Sequence, residues 1–221
     1  MRRFVVAVFT AALAAMAMTV SSSATSGTTC TSTLAPGTYG TVTVPAGATC
    51  IISEGPIRIQ GGVFVSPGAI FIFGDQERPD VNATINGGLV SLNANSVQVH
   101  FSTINGGVDL NGGSGPFPGP FDFGGGFAPT WNTLEDNQIN GHVKINGYNG
   151  FWQGFIRNHV NGTVSFTNNT VLDPDGNEFV TNTIKGSLNC SGNSPAPQVG
   201  DSEGEPNVVS GSETGQCAGI Q

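Results

Sequence analysis

The sequence predicts an all-β solenoid of about seven coils, and three observations predict it. A Gly-x-Val or Gly-x-Leu step recurs seven times, beginning at Gly40, Gly61, Gly87, Gly106, Gly141, Gly162 and Gly186. Successive steps lie 21, 26, 19, 35, 21 and 24 residues apart. Short alternating runs such as 69–73 and Ser96–Val99 fill the intervals, with no useful helical period anywhere. Composition agrees: 33 of 221 residues are Gly and 13 are Pro, a turn-rich chain with no Gly-X-Y period.

Taken in order, the first element is a leader. Arg2 and Arg3 precede an apolar run from Phe4 to about Ala17, followed by Ser21, Ser22, Ser23 and Ala24. A basic start, a short apolar stretch and small residues at a cleavage point define a secretory signal peptide, expected over 1–24. The run is too short for a membrane span, and no later stretch approaches one. The exported chain is therefore expected to be extracellular. Without Arg2 and Arg3 it keeps five basic residues against fifteen acidic ones, a charge of −10. That balance excludes nucleic acid, which needs a basic stripe, and disfavours acidic polysaccharides.

Residues 25–50 read as an N-terminal cap with the first coil, 51–190 as the solenoid body and 191–221 as a C-terminal cap. Cys30 and Cys50 lie at one end, Cys190 and Cys217 at the other. Four cysteines allow three pairings, and the local one is expected because each pair sits at one end of the chain. A zinc site is the competing account, but no His lies near either pair.

Within the body, an apolar residue stands two positions before the repeat glycine in six copies: Ile59, Ile85, Ile104, Ile139, Val160 and Ile184. One coil buries five or six side chains, about 1.5–3 kcal/mol each, which barely offsets the ordering of some twenty residues. Stability must therefore come from coil-on-coil bonding. Two asparagine columns support stacking. Asn86, Asn105, Asn140 and Asn161 stand just before the glycine; Asn137, Asn158 and Asn182, with Ser102, stand four before it. One column is expected to be an amide ladder, while the other reading is that Asn suits turns.

The recurring Asn-x-Ile/Val-x-Gly-x-Val/Leu, the run from Asn189 to Pro197, then 207–211 and Gly215-Gln216-Cys217, carry a resemblance. The chain resembles small secreted actinobacterial parallel β-helix proteins of unassigned activity, with the architecture seen in pectate lyases. The resemblance implies a right-handed, single-stranded parallel β-helix over roughly residues 36–190. It supplies no catalytic residues.

The interval of 35 holds an insert within 111–130 containing seven Gly, four Pro and four Phe, including Phe121 and Phe123. Trp131 follows it, and the next coil carries Tyr148, Phe151, Trp152 and Phe155. Phe155 aligns with Leu134 and Phe179 and belongs to the core. In-register stacking brings the rest to one side, beside Asp173, Asp175 and Glu178. Phe121, Phe123, Trp131, Tyr148 and Trp152 then read as a platform for a neutral glycan; alternatively, the insert folds back over the coil. Asp173-Pro-Asp-Gly-Asn-Glu178 resembles part of a calcium loop but also an ordinary turn. Asp109 and Lys144 share an offset in neighbouring coils, near His142, which suits a surface ion pair or a polysaccharide lyase or hydrolase. His100 and His159 read as isolated. The overall expectation is a secreted, non-enzymatic binding protein without cofactor, extracellular or at the cell envelope, facing a neutral glycan or an envelope component.

Overall fold

A computed structural model describes residues 27–115, 131–199 and 204–220. They form a parallel β-solenoid of about seven turns in three sheets, with no helix. Each coil passes once through each sheet. Thr103–Ile104 belongs to an eight-stranded sheet, Val108–Asn111 to a nine-stranded one and Trp131–Glu135 to a six-stranded one. The strands of every sheet follow chain order, each pairing in parallel with the strands one coil before and after. The leader and residues 116–130 lie outside the described residues.

Alternation builds the core. In Val143–Asn146, Val143 and Ile145 are buried while Lys144 is exposed. Period-2 side chains on a strand must do this when one face looks into a coil. The inward columns stack like on like. Leu134, Phe155 and Phe179 are register partners as the sequence predicts, and the two phenyl rings stack at 4.9 Å.

The repeat glycines have a cause beyond turn formation. A Cβ on Gly87, Gly106, Gly141, Gly162 or Gly186 would stand 2.4–2.8 Å from the carbonyl oxygen of the repeat glycine one coil earlier. None of these five has a positive φ. The column is therefore glycine because successive backbones approach too closely for any side chain, not because the chain bends left-handed there.

Both asparagine columns are ladders. On the outside, Asn161 Nδ2 donates to Asn140 Oδ1 at 2.6 Å, Asn140 to Asn105 at 2.8 Å and Asn105 to Asn86 at 3.2 Å. The second column is buried. Asn137, Asn158, Asn182 and Asn207 each donate to a carbonyl of the preceding coil (Val99, Leu134, Phe155 and Phe179) and, save the last, meet the amide of the next coil. It follows a corner where Phe101, Asp136, Arg157 and Thr181 all adopt left-handed φ, 47° to 58°. A third ladder, Asn169–Asn193–Gln216, follows the corner at Asn168 and Gly192.

The ends carry the expected disulfides, Cys30–Cys50 and Cys190–Cys217, with Cα separations of 5.6 and 5.2 Å.

Candidate functional site

Two faces hold the side chains that could do chemistry. The first is the outer face of the six-stranded sheet and the turns leading into it. Trp131 and Trp152 open their strands as register partners, both half-buried, with centroids 5.5 Å apart and planes tilted by 52°. Gly154 makes room for the indole: a Cβ there would fall 2.2 Å from Trp152 Cη2. Of the three segments expected on one side, the turns at Gly150–Phe151 and Leu172–Asp173 stack on each other, while most of the insert lies outside the described residues. The Leu172 amide donates to Gly150 O and the Asp173 amide to Phe151 O, at 3.2 and 3.0 Å. Leu172 is exposed here, and Phe151 is half-buried.

Tyr148 does not join this surface. Its side chain is buried, its ring fills the space over Gly150, and its hydroxyl donates to Asn95 O at 3.3 Å. Burial pushes its phenol well above the ordinary value. Phe121 and Phe123 lie outside the described residues. Asp173 Oδ1 accepts the Asp175 amide at 3.0 Å, the bond of an ordinary turn. Glu178 is buried on its own strand, paired in register with Gly154. Among the described residues no three His, Cys, Asp or Glu side chains converge as a metal site.

His100 is not isolated. It is the register partner of Glu135 in the next coil, with its Nδ1 3.2 Å from Glu135 Oε2 and both side chains buried. Arg157, one coil further, reaches Glu135 Oε1 and clasps Asp136 with two bonds of 2.8 and 2.9 Å. Sequence reasoning missed this cluster, although the alignment of Leu134 with Phe155 already placed Glu135 and Ile156 at matching offsets. Burial by itself favours the protonated Glu135 carboxyl, but His100 and Arg157 outweigh it and hold the group below the usual carboxylate range. A carboxyl with a lowered folded pKa stabilises the protein above its unfolded pKa, about 4.3. That contribution is lost as pH falls through the folded value. Glu135→Gln is expected to unfold at lower urea than the parent at pH 7, with the gap narrowing steadily below pH 4. An equal gap at pH 7 and pH 3 would contradict this account.

The second face is the outer side of the nine-stranded sheet. Asp109 and Lys144 are register partners as predicted, with Nζ 3.8 Å from Oδ1 and both side chains about half exposed. Asp109 also accepts from Asn111 Nδ2 at 2.8 Å. His142 Nδ1 accepts the Thr163 amide at 3.1 Å, which leaves Nε2 to carry the proton of the neutral ring. These three side chains border a shallow, open depression of about 350 Å³, floored by Gly88 and Gly107 and edged by Val90. Removing an exposed pair such as this is expected to cost little. Lys144→Ala should shift stability by about 0–1 kcal/mol in a urea titration.

The chain matches no family model, no curated protein and no solved structure. The structure shows a parallel β-solenoid of about seven turns, and no family or homologue supports the actinobacterial or pectate-lyase-like relationship that the sequence resemblance implies.

Proposed function

We propose that the protein is a secreted, non-enzymatic binding protein, extracellular or held at the cell envelope, that engages a neutral glycan through Trp131 and Trp152. The observation that carries the reading is the indole pair. Two half-buried tryptophans meet at a tilt across adjacent coils of one sheet, beside the stacked turns that expose Leu172. Aromatic faces give large contact area at low ordering cost, and the hydroxyls of a sugar find acceptors in Asp173 and Asp175 alongside. Two disulfides fit an oxidising compartment and agree with the leader.

Glycan-array binding tests it. Trp131→Ala and Trp152→Ala are each expected to weaken the strongest signal at least about tenfold, the loss of roughly one aromatic contact. Unchanged binding in both variants would end the reading. A second reading, a polysaccharide lyase or hydrolase, is favoured by the convergence of Asp109, His142 and Lys144 on one depression. Turnover of a polysaccharide that disappears in Asp109→Asn and Lys144→Ala would replace the first reading with this one.

A further inference from the structure

We infer that the outer face of the eight-stranded sheet adsorbs to ice, through two parallel columns of hydroxyl and amide side chains. This face is separate from the indole pair and does not rest on the glycan reading. Thr84, Thr103 and Gln138 are register partners on three adjacent strands, each pointing outward beside a buried isoleucine. Two residues on, Asn86, Asn105 and Asn140 repeat the next outward position, and all three are exposed. Three adjacent coils thus present three ranks of two uncharged polar side chains. His159 and Asn161 form a fourth rank, and Arg58 and Lys185 bound the strip at its two ends.

The order of the strip is built in. Asn161, Asn140 and Asn105 each donate through Nδ2 to the Oδ1 of the coil before, at 2.6, 2.8 and 3.2 Å. A side-chain amide carries two N–H donors, so the ladder leaves each of them a second N–H for solvent. Gln138 Nε2 donates to Asn140 Oδ1 at 3.3 Å and ties the two columns together. Thr84 and Thr103 are β-branched and stiff at χ1, which fixes hydroxyl and methyl alike. Amide ladders of this kind are among the devices that hold a stacked sheet flat. Coils repeat about every 4.8 Å along the axis, and outward neighbours on one strand lie about 6.6 Å apart. Water oxygens on a prism face of ice repeat at close to these two spacings, so each rank can hold a row of water where the lattice would place it.

Charge and composition select ice over other ligands. The chain carries a net −8, yet no Asp or Glu stands in the strands of this sheet or directly after any of them. No aromatic ring stands in the ranks between Arg58 and Lys185. A sugar is held by an apolar or aromatic face with a few polar groups at its edge. A strip of fixed hydroxyls and amides without such a face orders water instead. Water bridging polar groups keeps most of the enthalpy of a direct bond, and side chains fixed in advance add little ordering cost.

Ice-growth assays of the leader-free chain test the inference. At millimolar concentration the protein is expected to open a gap between the melting and freezing points of a seed crystal and to facet it. Thr103→Tyr sets a ring in the middle of the strip and is expected to close that gap. Asn105→Lys, which sets a charge there, is a second variant expected to do the same. Ser165→Tyr, on the nine-stranded sheet, is the control and is expected to keep the gap. Circular dichroism confirms that each variant keeps the fold. A parent that neither opens a gap nor slows ice recrystallisation overturns the inference. So does a gap that survives both Thr103→Tyr and Asn105→Lys, or one that Ser165→Tyr also closes. A glycan-array signal lost in Thr103→Tyr, from a parent without an ice-growth gap, overturns it and assigns the strip to a sugar chain.

Discussion

Replacing Gly162 by alanine is expected to destabilise the protein by about 3 kcal/mol, although it adds one methyl group. The new Cβ would sit 2.4 Å from Gly141 O and 2.7 Å from Gly141 C. Neither is the end of a flexible side chain. Both belong to a backbone pinned by its coil-to-coil bonds, among them Val143 N to Thr163 O at 3.0 Å and Val164 N to Ser187 O at 2.9 Å. Relief requires that two coils separate, and separation breaks those bonds. A Ser165→Ala control, on the same coil but facing outward, should stay within about 0.5 kcal/mol. Urea unfolding of the two variants beside the parent measures the difference. Equal midpoints would mean that the coils slide apart at no cost.

Asn158→Ala is expected to cost about as much for the opposite reason, because it removes atoms that buried groups need. The Asn158 side chain donates to Leu134 O at 2.8 Å and to Asn182 Oδ1 at 3.1 Å. Its Oδ1 accepts both the amide and the Nδ2 of Asn137, at 3.1 Å each. Truncation leaves a buried carbonyl and a buried N–H without partners, at about 1–3 kcal/mol apiece. It also interrupts the ladder, so Asn137 and Asn182 lose a neighbour on one side each. The exposed ladder provides the comparison. Asn140→Ala severs a bond of similar length, but water takes the freed groups, and a loss of about 1 kcal/mol or less is expected. If the two asparagines cost the same, burial is not what gives the inner ladder its value.

The solenoid was legible because its physics is periodic. Gly40 to Gly186 recur where coils touch, Ile59 to Ile184 recur where a side chain enters the core, and both periods can be counted along the chain. The register of Asp109 with Lys144 and of Phe155 with Phe179 followed from the same offsets. The site was less legible. Tyr148 and Trp152 look alike in sequence, yet Tyr148 turns inward over Gly150 while Trp152 lies outside over Gly154. Only the position of each residue relative to its corner decides which way it faces. His100 read as isolated because Glu135 is 35 residues away, across the one interval that an insert lengthens. Counting glycines aligns the coils on either side but does not show that both side chains turn to the same covered face.

By itself, then, the sequence determined the architecture: a stack of glycine-marked coils, an inward apolar column, amide columns and a disulfide near each end. These follow from local spacing, since each coil repeats the demands of the last. Tertiary structure alone decided why the glycines are there, that three ladders run through the stack, and which aromatic rings remain outside. It also brought His100, Glu135 and Arg157 into one cluster. Each of these depends on distances between coils, about 4.8 Å along the axis, and on which face of a strand is covered. Neither quantity is written in the order of residues along one coil.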